Sequence, residues 1–423
     1  MEGGKKEFDF LFRFCRYSLS WFGAWPEQKN KLKSTISIMI PNIFMSSVII
    51  IPQGIRMYQV RHDIDLLSQI ISTVELPVAL AMSKMNVFYF NRKNITLLYD
   101  HMAKYWENHK SNIELEIMRK KGVMGLRMAY ICLGMGHATM VARFTQCVFE
   151  NLSSWSSPER YCNYSLFVDA YYPFTWNYTP RFESVAWTQI TAIYFAMVAY
   201  SGSDSYYSQT VFHLCAEYNI LRVKLTDLVN NYKVSNISNN EFYKTLGYIV
   251  ENHVEINICI EHLESAFCAV FLIQLVSLTV QFCLQGFMLV LIIWEYFGKS
   301  QLGPGWVDPN FAQYLTEGHN SIIIDVMFII CFLIYMVGNF YIYCYLGEQL
   351  QMESFAFAQT AFDCEWYNLP PSKMRSMVFL IMSGRKPTEL TAGKFCVLNL
   401  ILFASIIKTS MGYLSFLVTM RAA

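Results

Sequence analysis

Residues 265–294 read SAFCAVFLIQLVSLTVQFCLQGFMLVLIIW, thirty consecutive positions without a charged side chain. A helix needs about 20 mostly apolar residues to cross the hydrocarbon core of a bilayer. A helix on the surface of a soluble domain keeps a polar face toward water, and this run has none. The stretch therefore predicts a membrane-spanning helix.

The composition of the whole chain agrees with a membrane protein. Its 423 residues are 54% hydrophobic and 15% charged, with a mean hydropathy of +0.27. Soluble domains carry about 25% charged residues, so an ordinary soluble enzyme is disfavoured. The net charge of +1 offers no field to attract nucleic acid. The 12 cysteines contain no Cys-x-x-Cys pair and no metal-ligand spacing, so we predict no metal or cofactor.

Seven uncharged or nearly uncharged runs of suitable length occur along the chain. The second and third are interrupted by Glu75, Lys84, Arg127 and Arg143. We predict an all-α membrane protein with seven transmembrane helices. The predicted spans are Ser34 to Ile55, Leu66 to Phe90, Val123 to Phe149, Ser184 to Gly202, Ser265 to Trp294, Ser321 to Leu346 and Phe395 to Met420.

The distribution of basic residues predicts the orientation of these spans. Lys and Arg number 23 in the N-terminal segment and the second, fourth and sixth loops, against 6 in the other loops and the tail. Because cytoplasmic loops are enriched in basic residues, we expect a cytoplasmic N-terminus and an extracellular C-terminus. Glycosylation signals at Asn151, Asn163 and Asn177 in the third loop agree. G-protein-coupled receptors have the opposite orientation.

These predictions divide the chain into six parts. They are a cytoplasmic N-terminal segment (1–33), transmembrane helices 1–4 (34–202) with an extracellular glycosylated loop (150–183), a cytoplasmic helical extension (203–264), transmembrane helices 5–6 (265–346), cytoplasmic anchor helices (347–394) and a pore-lining transmembrane helix 7 (395–420).

The fourth loop is too long for a simple connector and has a helical apolar pattern. The spacing alternates between three and four residues, which predicts a packed helical seam. The seam fits either a helical hairpin within one subunit or a surface for assembly with others. Its members are Val211, Leu214, Tyr218, Leu221, Leu225 and Leu228.

The C-terminal third carries a group of spaced motifs. They are Cys364-Glu365-Trp366-Tyr367-Asn368-Leu369-Pro370, Arg385-Lys386-Pro387, Leu390-Thr391-Ala392-Gly393, Phe395, Leu398, the run Phe403-Ala404-Ser405-Ile406-Ile407-Lys408-Thr409-Ser410, Tyr413 and Leu417. In these residues the chain resembles the insect odorant receptors. Tyr172-Pro173-Phe174 and Gln189 are also similar to that family.

The resemblance implies a tetrameric, ligand-gated, non-selective cation channel in the plasma membrane of olfactory sensory neurons. Each subunit has seven helices, the cytoplasmic ends form an anchor, and the last helix lines a central pore. Most such receptors assemble with a shared co-receptor into a heterotetramer. The fourth loop is shorter than that of the co-receptor, so the chain looks like an odorant-specific subunit.

The resemblance also implies that a small volatile odorant binds among the outer halves of spans two to six. Apolar, aromatic and methionine side chains suit such a ligand. Taken one at a time, each candidate fits ordinary helix packing better than ligand contact. The candidates are Thr73, Leu76, Pro77, Leu80, Gly136, His137, Met140, Phe144, Trp187, Thr191, Tyr194, Met327, Phe328 and Cys331.

The seventh span has a face of small and hydroxylic residues, which includes Ser405, Thr409 and Gly412 and continues to Phe416 and Met420. Small residues let helices or an ion column approach closely, and the alternative is plain helix packing. The resemblance places the hydrophobic gate of the pore at Phe416 and Met420. Lys408 in the same span should face protein or extend toward the cytoplasm, since inside the pore it would repel cations.

Three charged residues are predicted in the outer halves of their spans: Glu75, Arg143 and Asp325. We expect Arg143 to bridge one of the two carboxylates, because an unpaired charge there is costly. The second carboxylate can face water or receive a cationic odorant. No catalytic motif such as His-Glu-x-x-His or Gly-x-Ser-x-Gly is present, so we predict no enzyme. An inverted seven-helix transporter or a polytopic membrane enzyme remains the alternative.

Overall fold

The computed structural model of the chain describes residues 2–26, 31–108, 111–156, 164–235, 238–301, 309–384 and 387–422. Within these ranges almost all regular structure is helical. Two short helices, α1 (Glu2–Leu11) and α2 (Arg13–Trp21), precede the first predicted span. Helix α2 packs on the long helix α9 (Arg181–Ser235), where Ser18 and Leu19 fit against Gly202.

The first two predicted spans are helices with a π-helical turn in the middle. The first consists of α3 (Lys31–Met45), the π turn Ser46–Ile50 and α4 (Ile51–Gln59). Pro52 has no N–H group to donate to the Val48 carbonyl one turn earlier. The Tyr172 hydroxyl donates to that carbonyl instead, at 2.9 Å. A proline therefore opens the helix, and a residue from the third loop supplies the hydrogen bond.

The second span has the same plan. Asp63 caps α5 (Ile64–Ile70) by accepting a hydrogen bond from the Leu66 amide at 3.1 Å. The π turn Ile71–Glu75 follows, and α6 (Leu76–Phe90) has Pro77 in its first turn, where the missing N–H costs little. Helix α7 (Arg92–Glu107) then packs on α1 and on α10 (Asn239–Gln301).

Four helices are much longer than a bilayer requires. They are α8 (Asn112–Ser156), α9, α10 and α11 (Pro309–Asp363). At 1.5 Å per residue, the 55 residues of α9 extend about 80 Å. The bundle therefore continues well beyond the membrane-sized part of each helix, and α9 packs against α8, α10 and α11 along its length.

The apolar seam of the fourth predicted loop is buried inside the single chain. All six of its members have at most 3% of their surface exposed. The Tyr218 ring packs edge to face against His253 of α10 and at a tilt against Phe357 of α11. Of the two alternatives, the structure supports the hairpin within one subunit, because the seam leaves no face for a second chain.

The C-terminal region contains a hairpin that the sequence did not predict. Helix α12 (Pro371–Gly384) begins directly after Pro370, and the strands β1 (Thr391–Ala392) and β2 (Cys396–Val397) pair antiparallel. Gly393 has φ +62°, and a Cβ there would lie 2.6 Å from Leu272. The final helix, α13 (Leu400–Ala422), therefore begins later than the predicted Phe395. The motif residues Arg385-Lys386 lie outside the described residues.

Each of the seven predicted spans overlaps one or more of these helices. By length and composition, four helical segments of the described chain are apolar enough to cross a membrane: Leu32–Gln59, Ile64–Phe90, Asn239–Ile292 and Ile323–Asn368. Leu400–Phe416 is apolar but shorter. The membrane crossing of α8, α9 and α13, and the orientation of all seven, stay predictions.

Candidate ligand-binding site and pore helix

A cavity of about 500 Å³ lies between the helices at one end of the bundle. Its walls come from α4 to α6, α8, α9, α10, α11 and the segment 164–169. The volume is in the range of pockets that enclose a small organic molecule. Much of the wall is apolar or aromatic, and these lining residues include Leu80, Met140, Met197, Tyr200, Phe328, Phe332, Tyr335 and Met336.

Gly136 determines how closely α8 approaches its neighbours at the cavity wall. A Cβ at this position would lie 3.4 Å from Met197 Cγ and 3.5 Å from the Tyr335 ring. These distances are ordinary contacts, so a methyl group fits there without displacing Met197 or Tyr335. A larger residue can extend only toward the open space of the cavity.

The segment 164–169 closes one side of the cavity and is held by side chains from the helices. The buried Gln189 of α9 accepts a hydrogen bond from the Val168 amide at 3.1 Å and donates to the Val168 carbonyl at 3.0 Å. Its amide nitrogen also lies 3.0 Å from the Tyr172 hydroxyl. Gln189 thus joins the closing segment to the residue that hydrogen-bonds the first span.

Two arginines, each in an ion pair, hold the same segment. Arg56 of α4 contacts Asp169 at 3.1 Å, and Arg143 of α8 donates to the Phe167 carbonyl at 3.0 Å while it pairs with Glu150 at 3.1 Å. The expected bridge from Arg143 to Glu75 or Asp325 was wrong, because Glu150 lies seven residues further along α8 and takes the arginine. Asp325 instead accepts a hydrogen bond from Gln146 at 2.6 Å.

A smaller chamber of about 250 Å³ adjoins the main cavity and shares residues with it. Its wall is polar on one side, because it includes the carboxylates of Glu150 and Asp325 together with amide and hydroxyl groups. The combined site can therefore hold an apolar body and offer hydrogen-bond acceptors at one end. The polar members of the chamber are Gln69, Thr73, Gln146, Glu150, Gln285 and Asp325.

Six of the fourteen predicted ligand-site residues line the main cavity: Thr73, Pro77, Leu80, Gly136, Met140 and Phe328. The other eight do not line either cavity. The sequence located the helices but not which face of each points inward; Trp187, for example, is 61% exposed. These eight are Leu76, His137, Phe144, Trp187, Thr191, Tyr194, Met327 and Cys331.

Sequence reasoning missed two contributors to the cavity. One is the first span, which provides Gln53 and Arg56, and the other is the segment 164–169. The only signal for the segment was the likeness of Tyr172 and Gln189 to a known family, since Gln189 hydrogen-bonds the segment and Tyr172 hydrogen-bonds Gln189. Nothing in the spacing of the first span marked Gln53.

A buried ion pair lies directly beneath the cavity. Lys84 of α6 contacts Asp204 of α9 at 2.7 Å, and both side chains are almost completely buried. The Lys84 ammonium lies 3.2 Å from the centre of the Tyr200 ring, which lines the cavity, and 3.0 Å from the Tyr343 hydroxyl of α11. Tyr343 also donates to Asp204. The cluster connects the cavity floor to three helices.

Helix α13 packs on α10 and α11, where Phe403 stacks against Phe340 with ring centres 5.5 Å apart. The opposite side of α13 is uncovered in the single chain. Ser405, Thr409 and Gly412 are exposed, no other atom lies within 4 Å of a Cβ built on Gly412, and Phe416 is 61% exposed. The side chains of Leu417 and Met420 lie outside the described residues.

Lys408 is exposed on the edge of this uncovered side. The expectation that it faces protein is not met within the single chain, and no ion pair of Lys408 occurs among the described residues. Its surroundings are therefore set by whatever covers α13.

The fold and the cavity define a polytopic helical receptor, and comparison with known proteins identifies its family. The chain matches the family described as 7tm Odorant receptor over residues 68–298 and 313–411. The chain belongs to this family. The predicted recognition is confirmed, and the family places the chain among receptors rather than enzymes.

Relatives of known sequence are distant and match part of the chain. Odorant receptor 13a of Drosophila melanogaster is 23% identical over 216 residues, which are 48% of this chain and 45% of the relative. Odorant receptor 47a of the same organism is 24% identical over 51% of this chain and 48% of the relative. The odorant receptor coreceptor of Harpegnathos saltator is 24% identical over 26% of this chain and 23% of the relative. The matches thus span about half the length of the first two relatives, or less.

Solved structures show the same fold across nearly the whole chain. The olfactory receptor OR5 from Machilis hrabei in complex with eugenol superposes with a TM-score of 0.75 at 14% identity and covers 97% of both chains. The structure of the same receptor described without eugenol has a TM-score of 0.69 at 15% identity, again over 97% of both chains.

Proposed function

We propose that the chain is an odorant-specific subunit of a ligand-gated, non-selective cation channel. The observation that carries the proposal is the cavity of about 500 Å³. The segment 164–169 covers one side of it, and apolar and aromatic groups form much of its lining. Such a cavity suits a small volatile molecule, whose binding energy comes mainly from buried apolar area. The structure of the Machilis receptor, which shares the fold, is described as a complex with eugenol.

The uncovered side of α13 supports the pore proposal. In a bilayer an exposed row of Ser405, Thr409 and Gly412 gains nothing from lipid, but it can line water in a central channel. We place α13 around a pore formed by four subunits, with Phe416 and Met420 as candidates for the gate. The curated coreceptor relatives support a co-receptor as the partner in a heterotetramer.

Assembly needs a second surface, and the end of α11 together with α12 offers one. Several large apolar side chains there are exposed in the single chain, although Ala358 packs under Gly384. We assign this surface to the anchor between subunits at the cytoplasmic end. Its exposed apolar residues are Met352, Phe355, Phe362, Phe379 and Met382.

The direct test is electrical recording from cells that express the chain with and without a co-receptor, against an odorant panel. We expect odorant-evoked cation current in the co-expressing cells. A transporter would instead move solute without unitary channel currents. Odorant-evoked nucleotide exchange on a G protein, with no current, would equally contradict the channel proposal.

Glycosylation provides a test of the proposed orientation, in which the N-terminus is cytoplasmic and the third loop extracellular. Asn177 is exposed, whereas Asn151 is fully buried and its side-chain amide exchanges hydrogen bonds at 2.8 Å with the Ser165 backbone. We therefore expect Asn177→Gln to remove a glycan and increase gel mobility, and Asn151→Gln to leave the glycan pattern unchanged. Asn163 lies outside the described residues.

The control for orientation is an epitope tag at either end of the chain. Antibody should label the C-terminal tag on intact cells and the N-terminal tag only after permeabilisation. Labelling of the N-terminal tag on intact cells would reverse the orientation and remove the third loop from the extracellular side.

The gate assignment predicts the effect of Phe416→Ser. If the exposed Phe416 ring helps to keep the closed pore dry, a small polar residue should hydrate it, since dewetting depends on an apolar lining. We expect current in the absence of odorant and altered cation permeability, with little change in odorant potency. The measurement is basal current and reversal potential in cells that co-express the co-receptor.

Phe403→Ser is the matched control, because Phe403 lies on the packed side of the same helix against Phe340. It should reduce surface expression without opening the pore. If Phe416→Ser leaves basal current and selectivity unchanged while the equivalent change in the co-receptor alters both, Phe416 and Met420 do not belong to the gate.

A further inference from the structure

Far from the ligand cavity, two histidines and a glutamate meet inside the part of the bundle that we assign to the cytoplasm. His101 comes from α7, and His213 and Glu217 lie one turn apart on α9. His213 Nε2 lies 2.8 Å from Glu217 Oε1, and His101 Nε2 lies 3.0 and 3.1 Å from the two carboxylate oxygens. One nitrogen or oxygen from each side chain therefore lies close to the other two.

We propose that this centre is a zinc site. The three ligand atoms lie within 4.8 Å of one another. Tetrahedral Zn²⁺ holds imidazole nitrogen and carboxylate oxygen at about 2.0–2.2 Å, which separates neighbouring ligands by about 3.4 Å. Small rotations of the side chains achieve this spacing, because two of the contacts are already 2.8 and 3.0 Å.

Three protein ligands leave the fourth tetrahedral position to a water molecule. Two imidazoles and a carboxylate form a donor set that suits Zn²⁺ rather than Mg²⁺ or Ca²⁺, which prefer oxygen alone. One ion at this centre ties α7 to α9.

The surroundings hold the three ligands in place and keep most water away. Tyr105 stacks on the His101 ring with centres 6.1 Å apart and meets the His213 ring edge to face at 5.6 Å, so the imidazoles have fixed orientations. The His213 and Glu217 side chains are 4% and 1% exposed, whereas His101 is 16% exposed. An ion enters from the His101 side and is then shielded from water.

The site was hidden in the sequence because its ligands are far apart along the chain. His213 and Glu217 form a His-x-x-x-Glu pair on one helix face. That spacing is common without a metal, and His101 lies 116 residues from Glu217. Only the packing of α7 on α9 and α10 shows that the pair has partners.

The test uses the full-length chain, purified in detergent, stripped with EDTA, loaded with ZnCl₂ and desalted. Mass spectrometry of the metal content should find about one Zn²⁺ per chain, as for a site with three protein ligands. His213→Gln and Glu217→Gln should lose the ion, although both keep hydrogen-bonding groups. His213→Cys should retain it, since a thiolate replaces the imidazole as a ligand.

His253→Gln is the matched control. His253 is another buried histidine of the same helical region, but it stacks on Phe357 with ring centres 4.8 Å apart and is not one of the residues that meet at the site. It should bind zinc as the unaltered chain does. The proposal is overturned if the unaltered chain binds no zinc, or if His213→Gln binds as much zinc as the unaltered chain.

A further measurement keeps the result independent of misfolding. Zn²⁺ should raise the midpoint of thermal unfolding of the unaltered chain and of His253→Gln, by about 5 °C or more, and should leave that of Glu217→Gln unchanged.

Discussion

Lys84→Met is expected to prevent most of the protein from reaching the cell surface. The substitution leaves the Asp204 carboxylate buried without its cation, because the Lys84 ammonium at 2.7 Å is its ion-pair partner. Breaking a buried pair in this way costs about 3–5 kcal/mol. A loss of that size is a large fraction of the stability of a typical domain, about 5–15 kcal/mol. Surface biotinylation and detergent-phase thermal unfolding measure the effect.

The double variant Lys84→Met/Asp204→Asn separates charge from packing. Once the lysine is replaced, the Asp204 carboxylate is a buried charge without a counter-ion. A neutral amide at the same position costs less free energy to bury. We expect the double variant to recover part of the lost surface expression. Lys224→Met is the control, because Lys224 pairs with Glu114 at 2.8 Å but is 27% exposed. Solvent screening limits such a pair to about 1 kcal/mol or less. Equal losses for Lys84→Met and Lys224→Met would show that burial of the first pair is unimportant.

Gly136→Trp is expected to abolish or strongly weaken odorant responses while the protein still reaches the surface. The Cβ fits against Met197 and Tyr335, and the indole must then occupy the cavity. If a volatile ligand loses roughly 80 Å² of apolar burial, it loses about 2 kcal/mol, which corresponds to about a 30-fold rise in the half-effective concentration. Dose-response curves for ligands of different size measure this, and the largest ligands should lose most.

Gly134→Trp is the matched control for this substitution. Gly134 lies two residues earlier on the same helix and is exposed, and a Cβ added there would have no neighbouring atom within 4 Å. Its indole points away from the cavity, so potency should change little. Identical dose-response curves for Gly136→Trp and the unaltered chain, across ligands of all sizes, would remove Gly136 from the ligand site.

The sequence predicted the positions of the helices better than it predicted which face of each helix is buried. Long apolar runs located the helices, and the regular spacing of Val211 through Leu228 correctly indicated a packed seam. Whether that seam is internal depended on α10 and α11, which lie far away in the chain. The hairpin that delays the start of α13 to Leu400 was missed because two-residue strands carry too little pattern to detect.

Within the ligand site, the errors share one physical cause. In a membrane both the lipid-facing and the cavity-facing sides of a helix are apolar, so periodicity does not tell them apart. Trp187 and Phe144 were predicted as aromatic residues in the outer halves of their spans, yet their rings lie near each other outside the cavity. Arg143 was assigned the wrong partner because Glu150 lies beyond the predicted end of its span.

The hydrogen bond from Tyr172 to the Val48 carbonyl also has a consequence for synthesis of the chain. The two residues are 124 positions apart. At an elongation rate of about 5–20 residues per second, the ribosome needs about 6–25 s to add them. During that interval the first span is already in the bilayer with its proline-opened turn lacking this donor. The wall that the third loop gives to the cavity can therefore form only after Gln189 has been synthesised, so the cavity is completed late in the synthesis of the chain.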